Sequence, residues 1–308
     1  MRSILLYSGF DYKVFVPEID FFVKKIQNGQ YFSIIKYSIE YWMMVAKAFN
    51  NLGISPRQMS SYFLEPNNNI GKIAQEMCKI WELKQRANRP WKSDVNVVHK
   101  TLMGLKQTYP DNLMFGLSLF NLYIPINHDK AGVRDVVINL MSATKKEAYW
   151  TYCWREWAYN GKINTLITAA NSVPNLKIVI VGSHYFKNFG QKLGLHNFDH
   201  IEIHPHNAAL YVKDTKKEIL NRHSKYIKEN NNVLYLLVGG SIAMCLILEL
   251  HNLLSSAFMI DIGRALDVYY YYDCNSEKYA HKGWLLTCEP KWVKTVLPNN
   301  IKGIAHKA

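Results

Sequence analysis

Lys36, Ser38 and Glu40 alternate with Tyr37, Ile39 and Tyr41 in the stretch YFSIIKYSIEY, so an extended chain there would point a cation, a hydroxyl and a carboxylate the same way. A cation can neutralise developing negative charge, and a carboxylate can take a proton from a hydroxyl. The competing reading of the same residues places Glu40 in the first turn of a helix over Glu40 to Asn50, where an acidic side chain complements the helix dipole. A second set of candidates lies far along the chain: Gly182-Ser183-His184 with Lys187, then Asn207, then Gly239-Gly240-Ser241, then Asp261-Ile262-Gly263-Arg264 with Asp267 just beyond. Each follows a short apolar run. Glycines in such turns either let the backbone approach a phosphate at a helix N-terminus or serve only to bend the chain tightly. His184, directly after a strand-like run, suits either phosphate contact or capping.

The elements that must position these residues are most regular in the C-terminal half. Lys177 to Val181 reads as a strand, Tyr185 to Leu193 as a helix and Ile201 to His204 as a strand. Thr215-Lys216-Lys217-Glu218 reads as a capping box opening an amphipathic helix with Ile219, Leu220, His223, Tyr226 and Ile227 inward. Val233 to Val238 and Phe258 to Ile262 read as strands buried on both faces, with a helix over Ile242 to Leu254 between them. This order predicts an α/β fold with a doubly wound, mainly parallel, Rossmann-like sheet and a ligand crevice beyond the C-terminal ends of its strands. Ahead of it come a strand over Ser3 to Tyr7 running into a Gly9-Phe10-Asp11 turn, a helix over Ile19 to Gln27, a strand over Phe32 to Ile35 and an amphipathic helix over Asn67 to Arg89. Val95 to Ala143 is mixed and shows no clear pattern. The expectation is a single domain over 1–308: a mixed, helical part over 1–176, a βα core over 177–272 and a basic tail over 273–308.

Composition excludes a disordered chain, since charged residues make up 20% and apolar residues 49% of the sequence. The balance of 37 Lys+Arg against 24 Asp+Glu gives a net charge of +13, which attracts polyanions such as nucleic acid or an anionic membrane face. Lys84, Arg86, Arg89 and Lys92, interleaved with Trp81 and Trp91, form the basic and aromatic mixture that tracks a nucleic-acid backbone and stacks on bases; a solvated helix face with packing tryptophans is the alternative. Tyr149, Trp150, Tyr152, Trp154, Trp157 and Tyr159 are either core or a wall against a sugar. His196, His200, His204 and His206 invite a metal reading, but their spacing matches no zinc signature. The five cysteines, Cys78, Cys153, Cys245, Cys274 and Cys288, form no CxxC pair and point to a reducing, cytoplasmic setting. Val233 to Leu250 has the length of a membrane span, yet Gly239-Gly240-Ser241 and Glu249 interrupt it. No GxSxG elbow, Walker A loop, HExxH or kinase signature occurs, which removes support from hydrolase and ATPase classes.

LYLLVGGSIAMCLILELHNLLSSAFMIDIGRALDVYY resembles the C-terminal signature of GT-D type glycosyltransferases, IVIVGSHYFKNFG and HIEIHPHNAALY resemble their preceding strand and loop elements, and FSIIKYSIEYW resembles their N-terminal motif, a basic residue followed shortly by Asp-x-Glu. The resemblance implies a nucleotide-diphosphate sugar as donor. It aligns Lys36 and Glu40 with the motif's basic residue and glutamate, and Gly239, Gly240, Asp261 and Gly263 with the donor side of the crevice. Ser38, Gly182, His184, Lys187, Asn207, Ser241 and Arg264 join that donor set, with Glu40 or Asp267 as the base. Where the family has an aspartate this chain has Ser38 or Ile39, so a divalent Mn or Mg bridging protein and diphosphate is in question, and Lys36, Lys187 and Arg264 are the cations available instead. The expected acceptor is a polyanion: a hydroxymethylated base in phage-type DNA first, and a surface glycan or glycoprotein beside an anionic membrane second. A non-catalytic protein binding nucleic acid or nucleotide sugar on the same fold is the other class.

Overall fold

The computed structural model describes residues 2–7, 10–65, 68–85, 94–107, 110–117, 132–144, 147–151, 154, 157–158, 162–204, 207–254 and 256–266. Strands β1 (Arg2–Tyr7) and β2 (Phe10–Val16) pair antiparallel. Helix α1 (Ile19–Gln27) and β3 (Ser33–Tyr37) follow, then α2 (Ile39–Asn51), α3 (Pro56–Leu64), α4 (Asn68–Gln85) and α5 (Val95–Lys106). β4 (Leu113–Leu117), α6 (Val133–Thr144), β5 (Ala148–Trp150) and α7 (Lys162–Ser172) complete the N-terminal part. The C-terminal part contains β6 (Leu176–Gly182), α8 (Phe189–Lys192), β7 (Phe198–Glu202), α9 (Val212–Lys228), β8 (Asn232–Leu237), α10 (Ser241–Leu250) and β9 (Ala257–Asp261). The nine strands among the described residues form one sheet in the order β1-β2-β5-β4-β3-β9-β8-β6-β7, parallel throughout except for β1.

Local chemistry explains where the helices start. Ser38 caps α2 by accepting from the Tyr41 N–H at 3.3 Å. Ser55 and Gln58 form a capping box around Pro56 at the start of α3, and Asp94 caps α5 by accepting from the Asn96 N–H at 2.7 Å. α10 is buried almost all round, at Ile242 to Ile247 and Leu250, which is why its sequence is apolar on every side. β4, β8 and β9 are likewise buried along nearly their whole length, as expected for parallel strands covered on both faces. The helices α2, α4, α5, α6, α9 and α10 pack side by side in one layer, and α1 packs on α7 in the other.

The doubly wound, parallel C-terminal half stands as the sequence indicates, and the N-terminal part is helical but also contributes five strands to the same sheet. Phe10 and Asp11 are in β2, not in a turn, because the alternating FDYKVFV run pairs on both sides, with β1 and β5. β4 was hidden in the unpatterned stretch: LMFGL is five residues long and has no polar alternation. The expected helix over Tyr185 to Leu193 divides into a 3-10 turn at His184–Phe186 and the short α8, where Gly190 lies against the Phe198 ring with no room for a side chain. α9 begins at Val212, so Thr215 is a buried residue within it, not a cap, and Ile227 is 41% exposed, not inward. The apolar Val233 to Leu250 stretch is a strand followed by a helix, and no helix of the described residues is long and apolar enough to cross a membrane. Cys78 and Cys245 are buried; burial pushes Cys245 up to about 12, so it behaves as a small core residue. Cys153, Cys274 and Cys288 lie outside the described residues.

Candidate active site

β3 and β9 run parallel and adjacent with Ser33 opposite Met259 and Ile34 opposite Ile260, so their C-terminal ends emerge together. This register brings Lys36 beside Asp261, Ile262 and Gly263, residues more than two hundred positions apart in sequence. Asp261 is 2% exposed. Its Oδ1 accepts from the Gly263 N–H at 3.1 Å, and its carboxyl also accepts from the Lys36 backbone N–H. Burial dominates and pushes Asp261 up to about 7, against the opposing pull of the Lys36 ammonium and the two N–H donors. The Lys36 side chain lies across Gly263, its Nζ 2.9 Å from the point a Cβ there would occupy, and Gly263 has φ +56°. A side chain at Gly263 would therefore be strained and would displace the ammonium.

One strand over, β8 ends in a turn whose two glycines have different reasons. At Gly239 a Cβ would meet Ile203 Cδ1 at 2.8 Å, while Gly240 has space around it but adopts φ +56°, ψ −130° as the cap of α10. The exposed Ser241 follows as the first residue of α10, whose leading N–H groups have no intrahelical acceptor. Connections from β6 and β8 leave in opposite directions, to β7 and to β9, and that reversal opens a crevice at the strand ends. Gly182 lies at the β6 end with His184 and Lys187 exposed just after it. His200 Nε2 lies 3.2 Å from the Gly182 carbonyl and 3.0 Å from that of Ser183, so it holds a proton there and shapes the β6 end. Asn207, at φ 55°, opens the 3-10 turn Ala208–Tyr211 beyond β7.

The joint outward projection of Lys36, Ser38 and Glu40 does not occur. β3 stops at Tyr37, the Ser38 hydroxyl is engaged as the α2 cap, and Glu40 is exposed in the first turn of α2. Three hydroxyls with no evident link in the sequence fix this corner. Tyr37 Oη donates to the Thr101 carbonyl at 2.8 Å, Tyr41 Oη and Thr101 Oγ1 share a 2.8 Å bond, and Thr101 Oγ1 donates to the Val98 carbonyl at 2.8 Å. Trp154 and Trp157 are core, packed on Phe22 at ring-centroid distances of 4.7 and 6.2 Å, and do not form a sugar wall. Arg264 belongs to the 3-10 turn Gly263–Leu266, and Lys84 lies in the last turn of α4. Asp267, Arg86, Arg89, Trp91 and Lys92 lie outside the described residues, as do Tyr152, Tyr159 and His206.

The residues present do not suit a divalent metal. The Asp261 carboxyl is taken up by two backbone N–H groups and faces an ammonium, neither Ser38 nor Ile39 offers a carboxylate, and Glu40 sits out on a helix. No group of three or more His, Cys, Asp or Glu side chains among the described residues could hold one. The histidine series is likewise dispersed: His200 is on carbonyls, His204 stacks on Tyr211 at 4.4 Å, and His196 is exposed. A hollow of about 300 Å³ lined by Gly53, Ile54, Gln58, Ser61, Tyr62 and Glu65 lies around α3, beyond the end of α2 that points away from β3.

No protein-family model matches the chain, and no curated protein matches it. Solved structures with a likeness to it include one described as a new glycosyltransferase (DUF1792) from Streptococcus sanguinis, at 12% identity over 87% of each chain and a TM-score of 0.48. Another, described as the highly conserved domain of unknown function 1792 with a distinct glycosyltransferase fold, is 12% identical over 82% of this chain and 86% of its own, with a TM-score of 0.42. A selenomethionine-substituted structure of domain of unknown function 1792 is 12% identical over 83% and 86%, with a TM-score of 0.40. At this depth of likeness the function has to be argued from the site itself.

Proposed function

We propose that the chain is a glycosyltransferase that moves a sugar from a nucleotide-diphosphate sugar to an acceptor hydroxyl. The observation that carries this reading is the meeting of Lys36, Asp261 and Gly263 at the ends of β3 and β9, beside the Gly239-Gly240 turn and the N-terminus of α10. A cation, a close-approach glycine turn and a helix N-terminus are what a diphosphate requires, and the motifs that resemble GT-D glycosyltransferases fall on these same residues. Ser241, Gly182, His184, Lys187, Asn207 and Arg264 complete the proposed donor side.

In the reaction the acceptor oxygen bonds to the anomeric carbon, the bond from that carbon to the diphosphate oxygen breaks, and the nucleoside diphosphate leaves with the electron pair. The acceptor proton passes to a carboxylate. Glu40, exposed on the rim just after β3, is the described residue suited to that step, and Asp267 is the second candidate. The acceptor we propose is a polyanion, first a hydroxymethylated base in DNA, which the net charge of +13 favours and which in a duplex would be flipped outward. A reducing, cytoplasmic setting accords with such a substrate.

The test is label transfer from a panel of nucleotide sugars to hydroxymethylcytosine DNA and, in parallel, to membrane-bound glycans. Transfer to the DNA supports the full reading. Transfer only to glycans overturns the DNA acceptor, and a panel in which no donor is bound, transferred or hydrolysed leaves a binding protein and overturns the enzyme.

A further inference from the structure

We infer that Lys36, seated across Gly263 beside Asp261, is a cation built into the donor site in place of a divalent metal, and that it holds the diphosphate of the nucleotide sugar. This rests on the nucleotide-sugar reading above and adds how the charge of the leaving group is met.

Three observations converge on it. The ammonium is placed by the fold: β3 delivers Lys36 to the strand ends, and the absence of a side chain at Gly263 provides the surface on which its methylenes lie, with Cε and Cδ at 3.8 and 3.7 Å from the would-be Cβ. The carboxyl that would otherwise serve a metal is committed to the protein, since Asp261 accepts from the Gly263 and Lys36 backbone N–H groups. The remaining positions of an Asp-x-Glu metal motif are also spent elsewhere, Ser38 on the α2 cap and Glu40 on an exposed helical turn.

Burial resists ionisation of Asp261, which titrates at about 7, so near neutrality the carboxyl only partly offsets the Lys36 charge. The β8 turn supplies the complementary surface, because Gly240 and Ser241 lead into α10 on the strand next to β9. When the bond from the anomeric carbon to the diphosphate oxygen breaks, the electron pair goes to that oxygen, and a fixed ammonium stabilises it without reorganisation.

The experiment is calorimetric titration of the full-length protein with UDP, GDP, dTDP, ADP and CDP, once in EDTA and once with added MnCl2. At least one nucleotide is expected to bind in EDTA within about threefold of its affinity in manganese, since about 0.6 kcal/mol separates the two at that ratio. Lys36→Met is expected to weaken it by about tenfold or more, and Lys36→Arg to restore part of the loss. Gly263→Ala, which keeps the lysine but displaces its ammonium, is expected to weaken binding in the same direction. Circular dichroism verifies that each variant is folded, and if Lys36→Met is not, Lys36→Arg and Gly263→Ala decide the matter.

Binding that appears only with manganese, or is unchanged in the folded lysine and glycine variants, overturns the inference and leaves the nucleotide-sugar reading standing. No binding by any of the five nucleotides under either condition overturns both.

Discussion

Two carboxylates at opposite ends of the same half-sheet meet cations in opposite ways. At the outer edge, Asp199 on β7 accepts from the His200 N–H at 2.7 Å, the Arg222 Nη1 at 2.9 Å and the Tyr226 hydroxyl at 2.5 Å, and Arg222 Nε donates to Glu218 at 2.6 Å. Partial burial works to raise Asp199, but these donors and the guanidinium outweigh it and hold its carboxyl below the usual range. At the inner end Asp261 has two N–H donors, one lysine and almost no water, and burial wins. The edge cluster satisfies its charges with each other, as a stabilising network does. The inner pair keeps a poorly solvated charge beside a crevice, and such a cost is usual at a site that has to meet a ligand.

The contrast is open to direct measurement, and the sharpest test concerns pH. The folded-state value of Asp261, about 7, lies above the ordinary aspartate value of 3.8, so the native state binds the extra proton between them and stability falls as pH rises through that window. Asp261→Asn removes this dependence. Its stability relative to wild type in urea should therefore improve by on the order of 4 kcal/mol between pH 4 and pH 8, and a difference that is flat or declining with pH would dissolve the contrast. Asp199 has the opposite sign: its contribution is present above the ordinary carboxylate value and is lost as pH falls through its depressed one.

Asp199→Ala should cost about 2 kcal/mol at neutral pH, allowing for its partial exposure, and leave nucleotide binding as it was. Lost binding in a folded Asp199→Ala protein would show that the edge is not merely structural. At Gly240, where nothing crowds a methyl but φ is +56°, Ala should cost about 1 kcal/mol in thermal unfolding. Tyr226→Phe is the mildest change. It removes one donor to Asp199, should cost below about 1 kcal/mol in urea unfolding, and should move the loss of stability in acid to higher pH.

Strands with continuous apolar runs were readable in the sequence because burial on both faces demands that composition, and β6, β8 and β9 fall within about two residues of where the pattern places them. β4 and β5 were not, since five and three residues carry too few side chains to show a period. The glycine turn after β8 was legible as a turn, yet the separate reasons for its two glycines were not: one depends on Ile203 and the other on a backbone angle. The Lys36, Ser38 and Glu40 alternation misled because the same residues fit a strand and a capped helix, and Ser38 bonding to the Tyr41 N–H resolves it toward the helix.

By itself the sequence determined the fold class, the parallel core and the surplus of positive charge, because hydrophobic period and composition are local properties that need no partner to be read. Only the tertiary structure decided that Lys36 lies against Gly263 and Asp261, that Tyr37, Tyr41 and Thr101 fix the corner carrying them, and that Asp199 is held below the usual carboxylate range while Asp261 is pushed above it. Those outcomes depend on strand order, which places β3 beside β9, and on how far each carboxyl is removed from water. Neither quantity is carried by any short stretch of residues.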